Sequence, residues 1–187
     1  QGSSICETTV AGYYAAEGAT VTTQCAIGTY QPAAGQGSCL EAAAGRFVAG
    51  TGATAATLCA VGTFQANTGQ GACTPAPAGS IVTTEGATAA TLCAAGQYQP
   101  DTGKTSCLTA QAGRFAAEGA AAATPCAVGT YQPEAGKGSC IDAPAGRFVA
   151  SSGATSTTLC AAGTYQPSAG QSSCIDAPAG SFVATTG

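Results

Sequence analysis

Cys126-Ala-Val-Gly129-Thr-Tyr131-Gln-Pro-Glu-Ala-Gly136-Lys-Gly-Ser-Cys140 decides how this chain folds. A glycine stands two positions before an aromatic ring, a second glycine stands five positions after it, and a cysteine closes each end. That layout fits a β-hairpin: a short extended strand, a turn that needs positive φ, and a return strand. The stretch that follows, Ile141 to Leu159, repeats it without cysteines, with Gly146 before Phe148 and Gly153 after it.

Working outward, the glycine/aromatic pair recurs about every 17 residues along the chain. The pairs are Gly12/Tyr14, Gly28/Tyr30, Gly45/Phe47, Gly62/Phe64, Gly96/Tyr98, Gly113/Phe115, Gly129/Tyr131, Gly146/Phe148, Gly163/Tyr165 and Gly180/Phe182, with Gly79/Ile81 lacking a ring. A fixed period implies a stacked repeat in which each small unit is covered by its neighbours. The expected fold is all-β: disulfide-rich tandem β-hairpins stacked into an elongated solenoid or rod. The array is expected to be a single one over residues 1–187, with about eleven hairpins of roughly 17 residues, paired into units of about 34. Two turns, Tyr14-Ala-Ala-Glu-Gly18 and Phe115-Ala-Ala-Glu-Gly119, are shortened by one residue and lie 101 residues apart, which suggests a longer super-repeat. Both ends are expected to fall in the middle of a hairpin, at residues 1–6 and 177–187.

An ordinary core is not expected. Leu, Ile, Val and Phe make up only about an eighth of the chain, well below normal usage. Net charge is −4 and charged residues are 7%, so a disordered polyelectrolyte is not expected either. The eleven cysteines offer another source of order. Between Cys25 and Cys39, Cys59 and Cys73, Cys93 and Cys107, Cys126 and Cys140, and Cys160 and Cys174, the spacing is always 14. Where one kind of hairpin has this pair, the other has two small residues together: Ala42/Ala56, Ala76/Ala90, Ala110/Ala123, Ala143/Thr157 and Thr9/Thr22. This co-substitution favours bonds within single hairpins and leaves Cys6 unpaired or intermolecular. A rival register, Cys6–Cys25, Cys39–Cys59 and onward, stays open. Loops of ~15 residues closed by disulfides contribute about 3 kcal/mol each, enough to stand in for a missing core. Such a framework implies an oxidising setting, extracellular or at the cell surface.

The repeated string Cys-Ala-x-Gly-Thr-Tyr-x-Pro-x-x-Gly-x-x-Ser-Cys resembles the ephrin-receptor-like cysteine-rich repeat, related in style to tumour-necrosis-factor-receptor and EGF-like modules. The resemblance implies extracellular hairpin repeats. That family usually joins consecutive hairpins by C-x-x-C, whose second cysteine is here Ala42, Ala76, Ala110, Ala143 or Ala177.

Catalytic residues are not expected: histidine is absent, which removes Ser-His-Asp and Cys-His arrangements, and the nine carboxylates are scattered singly. No metal or cofactor is expected, because close cysteine pairs, histidines and calcium loops are all missing. The acidic balance gives no reason to expect nucleic acid, and no segment is apolar enough to span a membrane. The aromatic residues read as a buried spine, with a carbohydrate-binding ladder as the sharper alternative. Arg46, Arg114 and Arg147, each between the glycine and the ring, read as surface ion-pair or cation–π groups, or as a ligand ladder. Thr20, Thr22, Thr23, Thr155, Ser156, Thr157 and Thr158 read as candidates for O-glycosylation, whereas Asn67 is no N-glycosylation site.

These features point to a soluble portion of a secreted, non-enzymatic structural protein of an extracellular fibre, filament or surface appendage. Its expected partner is itself, head to tail, or the continuation of the same chain, with Phe182 and Tyr14 near the junction. Covalent O-glycans are a further expected partner. The alternative is the spacer or ligand-binding ectodomain of a receptor or adhesin.

Overall fold

A computed structural model describes residues 6–184. The expected half-hairpins at residues 1–6 and 177–187 fall in part outside these residues. Among the described residues there is no helix; twenty strands of two residues each run from Tyr13–Tyr14 to Ile175–Asp176. They form ten two-stranded sheets, each joining a strand to the next in sequence. The registers are antiparallel, as in Tyr30↔Leu40 with Thr29↔Glu41. In the two shortened turns the register closes up by one residue, Tyr14↔Thr23 and Phe115↔Thr124.

The strands are short because the two glycines of each hairpin bend the chain. Gly28 and Gly35 have φ of 84° and 70°, values that L side chains resist, so regular extended structure lasts only from Thr29 to Tyr30. A lone two-stranded hairpin is marginal in water, and the stability must come from its neighbours and its cross-links.

The contacts group the chain into two compact units, one of Gln1–Pro77, Ile81–Thr91 and Thr102–Thr105, the other of Ala78–Ser80, Leu92–Asp101 and Ser106–Gly187. Within the first, Gly28 N donates to the Val48 carbonyl at 2.9 Å, Gly45 N to Gln65 at 2.7 Å, and Gly52 N back to Cys25 at 2.8 Å. Within the second, Gly113 N donates to Gln132 at 2.7 Å, Gly129 N to Val149 at 2.8 Å, and Gly153 N back to Cys126 at 2.8 Å. Each unit thus has its own main-chain ladder from one hairpin to the next.

The core is made of small residues. The first member of each cysteine or alanine pair is fully buried: Cys25, Ala42, Cys59 and Ala76 in one unit, and Cys93, Ala110, Cys126, Ala143 and Cys160 in the other. Five disulfides close hairpins of their own: Cys25–Cys39, Cys59–Cys73, Cys93–Cys107, Cys126–Cys140 and Cys160–Cys174, with Cα–Cα separations of 5.7 or 5.8 Å. Cys6 is free and exposed.

The expected aromatic spine needs correction. The rings Tyr30, Phe47, Phe64, Tyr98, Phe115, Tyr131 and Phe148 are only half-buried, Tyr165 is 37% exposed and Phe182 87%. The buried position is the one after the ring, held by Gln31, Gln65, Gln99, Gln132 and Gln166 in the disulfide hairpins and by Val48, Val82, Ala116 and Val149 in the others. Burial of an amide is tolerated because its nitrogen and its oxygen each have a hydrogen-bond partner. Gln132 Nε2 donates to the Ser139 carbonyl at 2.9 Å, and its Oε1 accepts from Glu134 N at 3.2 Å. The other four glutamines make the same pair of bonds across their own turns.

Candidate functional site

Four of the five described hairpins without disulfides carry a different cross-strand link. Arg46 Nη1 donates to the Ala56 carbonyl at 3.1 Å, Arg114 Nη1 to Ala123 at 2.9 Å, and Arg147 Nη1 to Thr157 Oγ1 at 3.1 Å. Ala56, Ala123 and Thr157 stand where a disulfide hairpin has its second cysteine. In the first hairpin Gln24 Nε2 donates to the Tyr13 hydroxyl at 2.7 Å, with Tyr13 and Gln24 opposite in register. Arg46, Arg114 and Arg147 are therefore engaged within their own hairpins, and no ion pair is needed to explain them. In four of these hairpins a hydrogen bond thus ties the strands that a covalent staple ties in the disulfide hairpins.

The half-buried rings also alternate in what faces them. In the disulfide hairpins the opposite residue is mostly aliphatic: Tyr30↔Leu40, Tyr98↔Leu108, Tyr131↔Ile141 and Tyr165↔Ile175, with Phe64↔Thr74 the exception. Where the disulfide is lacking, the opposite residue is threonine: Tyr14↔Thr23, Phe47↔Thr57, Phe115↔Thr124 and Phe148↔Thr158.

Two shallow grooves lie within the second unit. One, of about 310 Å³, is lined by Tyr98, Gln111, Arg114, Ala122 and Ala123. The other, of about 300 Å³, is lined by Ala145, Gly146, Thr164, Tyr165, Gln166, Pro167 and Val183. Neither lining holds a carboxylate or a thiol, and the Thr164 hydroxyl is committed to the Ala161 carbonyl at 2.8 Å. Acid–base or nucleophilic chemistry has no pair of groups there to act through. Among the described residues no three His, Cys, Asp or Glu gather as a metal site would require.

The family described as tyrosine-protein kinase ephrin type A/B receptor-like matches residues 12–59, 45–93 and 113–160. Together these segments cover more than half of the chain. The chain belongs to the ephrin-receptor-like repeat family. No curated protein matches it.

Each match begins at a glycine that precedes a ring, Gly12, Gly45 or Gly113, and ends on a buried cysteine, Cys59, Cys93 or Cys160. Ephrin-receptor-like repeats of this kind are extracellular ectodomain modules and not catalytic ones, which agrees with the disulfides seen here. The family's additional cysteine would fall at Ala42, Ala76, Ala110 or Ala143, all fully buried. At three of those hairpins the arginine link supplies the cross-strand tie instead.

Exposed polar groups complete the surface of these ephrin-receptor-like repeats. Lys137 Nζ meets Glu134 Oε2 at 2.8 Å, and this partner holds the Glu134 carboxyl below its ordinary range through a hydrogen bond and charge attraction. Thr20, Thr22, Thr23, Thr155, Ser156 and Thr158 are exposed, whereas Thr157 is half-buried under the Arg147 bond. No helix among the described residues is long and apolar enough to cross a membrane.

Proposed function

We propose that this chain is a structural protein of an extracellular fibre, filament or surface appendage, built by continuing its own hairpin-to-hairpin ladder. The observation that carries this reading is the composition of that ladder. Hairpin meets hairpin through main-chain bonds such as Gly28 N to Val48 O and Gly129 N to Val149 O, which do not depend on side-chain identity. Any further hairpin with the two glycines fits the same donors and acceptors, whether it comes from the same chain or another copy. Head-to-tail contact between copies is heterologous, and Cys6, exposed and free, is available to a cysteine of a neighbouring hairpin.

The family match favours a second reading, in which the repeats are the spacer or ligand-binding ectodomain of a receptor or adhesin. Negative-stain images of protein from its native source separate the two. Long, uniform filaments sustain the structural reading. Single particles that stay single as concentration rises overturn it and leave the ectodomain.

A further inference from the structure

Directly opposite residues of an antiparallel pair share one face, with β-carbons about 4.5–5.5 Å apart. Leu40, Leu108, Ile141 and Ile175 therefore lie beside the rings of their hairpins, whereas Thr23, Thr57, Thr74, Thr124 and Thr158 offer a ring only a methyl and a hydroxyl. All five threonines are exposed. Their hydroxyls make no hydrogen bond within the described residues. The threonines of the opposite strand behave differently: Thr29, Thr63, Thr130 and Thr164 each donate to the carbonyl three residues back, at 2.7–2.8 Å.

The surroundings also call for a solvating group. Charged residues are only 7% of the chain, far below the roughly 25% of an ordinary soluble domain. Leu58 and Leu159, next to Thr57 and Thr158, are exposed.

We propose that Thr23, Thr57, Thr74, Thr124 and Thr158 are O-glycosylated, and that the first sugar of each packs its C–H face on the ring opposite. A pyranose suits the position because it has an apolar face for the ring and hydroxyls for water, and a glycan there also blunts the exposed strand edge. In the modification, the threonine Oγ1 attacks the anomeric carbon of a sugar carrying a phosphate leaving group. A glycosidic C–O bond forms, the bond from the anomeric carbon to the phosphate oxygen breaks, and the phosphate leaves with the electron pair. The hydroxyl proton passes to a base of the transferase.

Cleavage of the native-source protein at Arg114 and Lys137, after reduction, releases peptide 115–137, whose two threonines are Thr124 and Thr130. Fragmentation that preserves side-chain modifications is expected to place a sugar mass on Thr124 in most copies and none on Thr130. An unmodified Thr124, or a sugar on Thr130, overturns the assignment. Magnetic contacts between sugar protons and the Phe115 ring are expected in the intact protein. A glycosylated Thr124 without them overturns the packing. Neither result bears on filament formation, which is read from images.

Discussion

The carbonyl oxygen of Gly153 occupies the place that a β-carbon on Gly113 would take. Gly113 has φ of 79°, so a side chain there meets a strained backbone and an immovable main-chain atom at once. The contact recurs within each unit, Gly12 against Gly52 and Gly45 against Gly86 in one, Gly96 against Gly136 and Gly129 against Gly170 in the other. Gly18 is the natural control, since its φ of 75° is similar but nothing lies within 4 Å of its missing β-carbon. Gly18→Ala is expected to cost about 1–2 kcal/mol from left-handed backbone alone. Gly113→Ala adds overpacking of about 1–3 kcal/mol. Thermal melting should therefore fall further for Gly113→Ala, and equal shifts would mean that the close approach is not rigid.

The two kinds of cross-strand link differ in strength, and paired substitutions read the difference. Removing a disulfide as Cys126→Ala with Cys140→Ala should cost roughly 2–5 kcal/mol. Removing the hydrogen-bonded link as Arg114→Ala should cost about 0.5–1.5 kcal/mol, the usual net worth of one hydrogen bond. Denaturant titration of both variants checks the order, and a larger loss for Arg114→Ala would sink it. Non-reducing peptide mapping should also join Cys25 to Cys39 and Cys160 to Cys174; recovery of a Cys39–Cys59 peptide would contradict the pairing.

Glu134 gives the expected pH response. Its carboxyl titrates below the ordinary value because Lys137 bonds and attracts the charged form. A depressed folded pKa means that the contribution is complete above the unfolded pKa and is lost as pH falls through the folded one. The pair is exposed, so the effect is small and screened by salt. Carboxyl chemical shifts followed from pH 7 to 2 should show Glu134 titrating low. Lys137→Gln should return it to the ordinary range, and an unchanged midpoint would remove the lysine as the cause.

Much of the fold is legible from spacing: the hairpins, their all-β class and the turn glycines all follow from the positions of Gly28, Tyr30 and Gly35. The burial pattern is not, because apolarity ranks tyrosine above glutamine. Tyr30 was the natural core candidate, yet Gln31 is buried and Tyr30 only half so. What decides this is local hydrogen bonding, which satisfies the Gln31 amide within its own turn, and hydropathy does not register that. The role of Arg46 was hidden for a related reason. Its partner is the main-chain carbonyl of Ala56, an acceptor that every residue carries and no motif marks.

Gln132 permits the sharpest test of that account. Its side chain closes the turn through two bonds, one to the Ser139 carbonyl and one from Glu134 N. The equivalent position in the following hairpin is Val149, which is equally buried and makes no such closure. If burial of an apolar group were the requirement, Gln132→Val would be neutral or stabilising. If turn closure is the requirement, Gln132→Val leaves a carbonyl and an N–H without their partner, each costing about 1–3 kcal/mol to the extent that water cannot reach it. A combined loss of about 2–4 kcal/mol is expected, together with faster amide hydrogen exchange at Glu134. The disulfide Cys126–Cys140 still holds the two strands in this variant, so the loss reports on the turn and not on unpairing of the hairpin. Unchanged stability with unchanged exchange at Glu134 would show that the glutamine merely fills space.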